Sequence, residues 1–241
     1  MTGHTLPTTV EWRELARIDP LYVVATWPDR RGAWTPEEFY AVGRSDWEDF
    51  EHRWRQAWPE LGGTCLEIGC GAGRITHALA ESFERVVALD VSEDMIELAR
   101  SASPANVEFR RVDATSVPLP DGSVDAVFTC HVLQHLENLH HVEAYLAESR
   151  RVLRPGGSAI VQLGLLAEGM RWHGRLRLEL RLRFNRRLRG VRPSLDFRVR
   201  QYRWHEITDL LERLGFDEVE LRVFRVRSNG ERQAFWFARR R

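Results

Sequence analysis

At 241 residues the chain can bury a sizeable core without disulfide or metal staples, and its length suits one large domain with an appendage. Its 35 basic and 35 acidic side chains cancel, so global charge gives no reason to expect a nucleic-acid or membrane partner. All of those basic residues are arginine, which excludes lysine Schiff-base chemistry.

Three cysteines, Cys65, Cys70 and Cys130, are an odd number, which argues against a disulfide framework and for a reducing compartment, the cytoplasm by default. Met1 to Trp12 lacks the basic start and apolar segment of a signal peptide. No apolar run approaches the roughly 20 residues needed to span a bilayer, so a soluble protein is expected.

Residues 1 to 60 are polar, helical in pattern and rich in tryptophan: Trp12, Trp27, Trp34, Trp47, Trp54 and Trp58. Thr35-Pro-Glu-Glu is a helix-start signal, with threonine as cap and acids in the first turn, so a helix begins near Pro36. A second helix is expected over Asp46 to Ala57, where Trp47, Phe50 and Trp54 recur at helical spacing. The tryptophans read first as a small core joining this appendage to the main domain, and secondarily as an aromatic wall over a substrate.

From Gly62 onward strands alternate with helices, which implies βαβ units and a parallel sheet. Cys65 to Ile68 is a strand, Gly69, Gly71 and Gly73 let the backbone turn and approach a ligand, and Arg74 to Ser82 opens a helix. Arg85 to Asp90 is a β-branched strand buried on both faces. Ser92-Glu-Asp caps a helix running to Ser101. Val107 to Val112 and Val124 to Thr129 are strands. A helix over Leu139 to Leu153 stops at Arg154-Pro-Gly-Gly157, before a strand at Ser158 to Leu163.

Residues 164 to 203 break this rhythm, with twelve arginines from Arg171 to Arg203 against Glu179 and Asp196. Arg175 to Phe184 alternates apolar and polar residues but has no β-branched side chain, and is read as a helix. A helix follows over His205 to Leu214. Strands Val219 to Val226 and Gln233 to Ala238, joined by the hairpin signal Ser228-Asn-Gly230, should be antiparallel.

Ligands of open parallel sheets bind beyond the carboxyl ends of the strands, where strand order reverses. Gly69 to Gly73, Asp90, Asp113 and Cys130-His131 all fall at that edge. Asp90 stands where a carboxylate accepts hydrogen bonds from two ribose hydroxyls, the helix-capping role being already filled by Ser92. The dinucleotide fingerprint wants glycine at the sixth loop position, whereas Arg74 occupies it and glycine falls on the fifth, disfavouring a nicotinamide-dependent oxidoreductase. The run His131-Val-Leu-Gln-His135, with His140 and His141, lacks a carboxylate or cysteine at metal-ligand spacing, so no metal is expected.

The segments Leu66-Glu-Ile-Gly-Cys-Gly-Ala-Gly-Arg-Ile-Thr76, Val87 to Arg100, Val112-Asp-Ala114, Asp125-Ala-Val-Phe128 and Arg151 to Gly157 resemble those of class I S-adenosylmethionine-dependent methyltransferases over about residues 62 to 163. The resemblance implies an α/β fold: a Rossmann-like doubly wound seven-stranded, mostly parallel sheet with an antiparallel final strand. To that it adds a helical N-terminal cap at 1–60 and a methyltransferase domain at 61–241 carrying an Arg-rich insertion at 164–203. Carried over by position, Gly69, Cys70, Gly71 and Gly73 would lie against the methionine part of S-adenosylmethionine, with Glu67 near its ammonium. Asp90 would hold the ribose, Val91 and Met95 would sandwich the adenine, and Asp113 and Ala114 would meet its edge. Cys130 and His131 would line the cavity near the sulfonium. His131 is the better general-base candidate, and His135 resembles a histidine that more often packs than catalyses. Arg74 would order the loop. A second, weaker likeness, of Asp19 to Thr26 and Trp34 to Arg44, is to bacterial small-molecule methyltransferases, and assigns Tyr22, Tyr40 and Arg44 to closing over the cofactor.

The expected reaction is methyl transfer to oxygen or nitrogen of a small-molecule acceptor by direct displacement. Such a step demands mainly positioning and desolvation. The alternative is a non-catalytic S-adenosylmethionine-binding partner or regulator. The arginine run is compatible with an anionic acceptor, a carrier-protein surface or a membrane surface.

Overall fold

The computed structural model describes residues 7–27, 29–113, 115–166 and 199–241. The chain opens with three helices, α1 (Pro7–Ala16), α2 (Pro20–Val24) and α3 (Pro36–Ala57). Asp19 holds the entry to α2, its carboxylate accepting from the amides of Tyr22 at 3.2 Å and Gly32 at 2.7 Å. Thr35 and Glu38 form a reciprocal capping box at the start of α3, as Thr35-Pro-Glu-Glu predicts.

The two helices expected from Pro36 and from Asp46 are one helix of 22 residues. Gly43 lies inside this helix, where glycine costs about 1 kcal/mol relative to alanine. Its reason lies elsewhere: a Cβ at Gly43 would stand 1.7 Å from the Arg74 carbonyl oxygen. The glycine lets α3 press against the loop after the first strand.

The strands are β1 (Thr64–Ile68), β2 (Arg85–Asp90), β3 (Val107–Arg111), β4 (Val124–Thr129), β5 (Leu153–Leu165), β6 (Gln201–Tyr202), β7 (Phe216–Arg225) and β8 (Arg232–Arg240). They form one sheet in the order β3-β2-β1-β4-β5-β8-β7, with β6 paired to the end of β5. β8 runs antiparallel to both β5 and β7, and the other pairs are parallel. The seven-stranded expectation holds along the main path, and the two-residue β6 adds an eighth strand too short to carry a sequence signal.

β5 begins five residues earlier than the sequence pattern indicates. Leu153 already pairs with Val124, and the register shifts before Ala126 pairs with Ser158. The Pro-Gly-Gly stop signal ends the preceding helix but lies inside this irregularity. The expected helix over Arg175 to Phe184 lies outside the described residues.

Helices α4 (Thr76–Ser82), α5 (Glu93–Ser101), α6 (Leu139–Val152) and α7 (Trp204–Arg213) are the remaining α-helices among the described residues. Alternation along the strands divides the core into two layers. Leu66, Ile68, Val87, Leu89, Val127 and Val161 pack with residues of α6 and α7, among them Leu146 and Leu210. Cys65, Val86, Ala88 and Phe128 pack with Trp47, Phe50 and Trp54 of α3 and Leu79 of α4. Side chains buried to this degree contribute about 1.5–3 kcal/mol each, so α3 is fastened to the sheet by its own core. The Trp54 indole also donates to the Ser158 hydroxyl at 2.8 Å in the interior.

Candidate functional site

A cavity of about 1060 Å³ opens at the carboxyl ends of β1, β2, β4 and β5, where the strand order reverses between β1 and β4. Its first wall is backbone. The amides of Gly69 and Cys70 donate to the Leu89 carbonyl at 2.7 and 2.9 Å, and the Gly71 amide donates to Asp90 Oδ2 at 2.8 Å. Gly69 and Gly71 both adopt positive φ, +77° and +53°. A Cβ on Gly69 would lie 2.2 Å from Val132, and one on Gly71 2.8 Å from Val24. Conformation and space both require glycine there.

Asp90 also accepts from the Ser92 amide at 2.9 Å. Burial pushes its carboxyl up, opposed by the backbone hydrogen bonds. Ser92 caps α5, its hydroxyl accepting from the Met95 amide at 3.4 Å. Glu67 lies beneath the loop and accepts from the Thr76 hydroxyl at 2.6 Å. Burial pushes its carboxyl up to about 7, the Thr76 bond opposing this. A carboxylate so desolvated is stabilised by any cation that reaches it.

Arg74 is buried and pairs with Asp46 of α3 at 2.5 Å. This pair, together with Gly43, ties α3 to the glycine loop, matching the loop-ordering role read for Arg74. Asp46 Oδ1 has no hydrogen-bond partner among the described residues.

The opposite wall is made of side chains. His131 follows β4 with a φ of +59°, an uncommon conformation for a residue with a side chain. Its amide donates to Gln162 Oε1 at 2.9 Å. The imidazole is pushed down to about 3, first by burial and then by the nearby charges of Arg74 and His135. It is therefore neutral near pH 7, and far from the pKa at which a general base works best. Burial likewise raises the Cys130 thiol well above the ordinary range. Gln134, on a 3₁₀ turn at Leu133–His135, contacts both imidazoles at 3.3 Å.

Of the residues singled out from sequence, Glu67, Gly69, Cys70, Gly71, Asp90, Val91, Met95, Cys130, His131 and His135 line this one cavity. Gly73 sits behind the loop against Ala99. Asp113 is off the wall and ion-paired with Arg13 and Arg111. Tyr22 is off the wall as well, whereas its neighbours Val23 and Val24 line it. Tyr40 stacks on His77 with ring centres 4.1 Å apart, and Arg44 pairs with Glu81 at 2.5 Å on the outside. Ala114 lies outside the described residues.

Sequence reasoning missed Gln134, Gln162, Asp46 and Val132. A glutamine between Val161 and Leu163 of a buried strand is a signal that was open to view, since a buried amide needs partners. The tryptophans divide between the two readings: Trp47 and Trp54 are core, while Trp12 and Trp27 form part of the cavity wall.

This sheet order, with its glycine loop after β1, defines the fold of class I methyltransferases. A solved S-adenosylmethionine-dependent methyltransferase from Aquifex aeolicus shares it, with a TM-score of 0.58 at 22% identity, covering 92% of this chain and 98% of that one. Residues 66–161 match the family model described as a methyltransferase domain, and this segment belongs to the class I S-adenosylmethionine-dependent family. A probable S-adenosylmethionine-dependent methyltransferase from Mycolicibacterium smegmatis is 32% identical over 165 residues, 66% of this chain and 54% of that protein. A malonyl-[acyl-carrier protein] O-methyltransferase from Hahella chejuensis is 37% identical over 116 residues, 45% of this chain and 40% of that protein. The chain thus spans about half or less of the length of these curated relatives.

Proposed function

We propose that this chain transfers a methyl group from S-adenosylmethionine to oxygen or nitrogen of a small-molecule acceptor, free or carrier-linked, by direct displacement. The observation that carries the reading is the meeting, in one cavity, of the glycine loop with Glu67, Asp90 and Met95 on one side and His131 on the other. The name of the Hahella chejuensis relative supports a carrier-linked acceptor. Three free cysteines favour a cytoplasmic setting. No helix among the described residues is long and apolar enough to cross a membrane.

The cavity fits the proposed donor. Gly69 and Gly71 present bare backbone at the cavity wall, where positive φ and the close approach of Val132 and Val24 leave no room for a Cβ, and Glu67 is a buried carboxylate suited to an ammonium group. In this reading Asp90 accepts from the ribose hydroxyls, with lone pairs left after its two backbone bonds, and Val91 and Met95 enclose the adenine. Asp113 and Ala114 serve its edge, and Tyr22, Tyr40 and Arg44 act in closing residues 1–60 over the domain at 61–241. When bound, S-adenosylmethionine supplies an electrophilic methyl group on a sulfonium.

The chain's own contribution is orientation and exclusion of water. Buried Phe128, Met95 and Cys70 at the cavity exclude water, which strengthens the electrostatic contacts inside it. Cys130, His131 and His135 face the acceptor side. With the His131 imidazole so weakly basic, no proton removal by it is required of an acceptor that attacks through an existing lone pair.

Incubation with methyl-labelled S-adenosylmethionine and a small-molecule extract tests the reading. Label in a compound other than S-adenosylmethionine, with S-adenosylhomocysteine released in equal amount, is the expected result. Tight binding of the donor with no transfer to any fraction, carrier proteins included, would establish the non-catalytic binding protein instead.

A further inference from the structure

The His131 imidazole sits at the end of a hydrogen-bond chain whose polarity can be worked out from one fixed donor. A backbone N–H can only donate, so the oxygen of the Gln162 amide faces the His131 amide at 2.9 Å. The Gln162 nitrogen then points the other way and donates to Gln134 Oε1 at 3.3 Å. That leaves the Gln134 NH₂ group directed at two ring nitrogens, His131 Nδ1 and His135 Nε2, each at 3.3 Å. Its two hydrogens match two acceptors. Turning either amide over would set donor against donor at the His131 amide or between the glutamines. His131 Nδ1 is therefore the unprotonated nitrogen, and the proton of the neutral ring is on Nε2.

Gln134 and Gln162 are both buried, so this chain is shielded from competing water. Among the described residues Nε2 of His131 meets no protein partner, and the residue lines the cavity. The charged and titratable groups that face the ring are Arg74, from the loop after β1, and His135, from the 3₁₀ turn. The Arg74 charge opposes a second proton, as does the loss of the Gln134 bond that protonating Nδ1 would bring.

We infer that His131 meets the methyl acceptor as a hydrogen-bond donor through Nε2, and that the group it meets is a lone-pair oxygen of carbonyl or carboxylate type. Gln134 and Gln162 are positioning residues: they fix the tautomer and hold the left-handed backbone of His131. This inference rests on the methyltransferase reading for the identity of the ligand, but the tautomer is a property of the free protein. It replaces a proton-taking His131 with a proton-presenting one. An acceptor oxygen that is ionised or enolised near neutral pH suits such a site, because the donor favours its ionised form and no base is consumed.

Nitrogen-15 correlation spectra of the imidazole rings in the free protein, with His131 assigned by His131→Gln, provide the test. The expected result is a protonated Nε2 and an unprotonated Nδ1 that do not titrate between pH 5 and 8. A proton on Nδ1, or a titration near the ordinary value of about 6.5, overturns the assignment. Gln134→Glu replaces the donor with a carboxylate, and should move the proton to Nδ1 and raise the ring's pKa above that ordinary value. An unchanged ring in this variant, with its circular dichroism intact, also overturns it. Acetate added to the S-adenosylhomocysteine complex should shift the Nε2–H signal and ethylammonium should not; the reverse overturns the oxygen assignment. Calorimetry with S-adenosylmethionine on the same sample separates the two ideas. No binding there, with the tautomer as expected, would sink the methyltransferase reading and leave the donor assignment of His131 standing.

Discussion

The wall of the cavity formed by β1 and β2 is held by the backbone amides of Gly69, Cys70 and Gly71, which donate to the Leu89 carbonyl and the Asp90 carboxylate, whereas the wall formed by β4 and β5 is held by a bond between two side-chain amides, Gln162 and Gln134. Backbone donors accept almost any side chain around them and fix one shape, the cradle of the proposed methyl donor. Side-chain amides set a direction of hydrogen bonding, which a single substitution can reverse. The first wall thus suits a ligand common to a family, and the second suits the ligand that differs within it.

Four substitutions probe this difference, beginning with the largest expected effect. Asp46→Ala leaves Arg74 buried without its partner, and should cost about 3–5 kcal/mol of stability, read from urea unfolding. A loss no larger than that of an exposed pair would show that α3 does not depend on this contact to brace the glycine loop. Asp90→Ala removes two charge-assisted bonds to the proposed ribose, and should weaken S-adenosylmethionine by about 2–4 kcal/mol in calorimetry. Unchanged affinity would move the ribose elsewhere.

Glu67 makes the donor wall pH-sensitive. Its carboxyl keeps a proton up to about pH 7 in the folded protein but only to about 4.5 in the unfolded chain. Between these values the folded state binds the extra proton, so its stability declines as pH rises, by about 3 kcal/mol at 1.36 kcal/mol per unit. Unfolding midpoints of Glu67→Gln at pH 5 and 7.5 should lack this decline, and an equal decline in the variant would assign it to another group. The smallest effect belongs to the rim. Arg13→Ala loses partly exposed pairing to Asp113, and should change stability by less than about 1 kcal/mol.

Much of the fold was legible because its signals are local. The β-branched runs at Arg85–Asp90 and Val124–Thr129 coincide with β2 and β4, and the capping residues Thr35 and Ser92 open helices where side chain and backbone spacing require. The single α3 in place of the two helices expected from Pro36 and Asp46 rests partly on Gly43, whose contact with Arg74 spans 31 positions and is announced by nothing in its neighbours. The same division runs through the site. Gly69, Gly71 and Asp90 could be read from spacing after a strand. Tyr40 and Arg44 could not be placed, since the face of α3 they occupy is decided by His77 and Glu81 on another helix. The Gln134–Gln162 bond is equally non-local, and only the isolated polarity of Gln162 in a buried strand hints at it.

Isothermal titration with S-adenosylmethionine, S-adenosylhomocysteine and NAD decides which ligand the glycine loop and Asp90 serve, because all three contain an adenosine unit. Saturable binding of both sulfur compounds at one site per chain is expected, with none of NAD at the same concentrations. Tight NAD binding with no heat from either sulfur compound would contradict it.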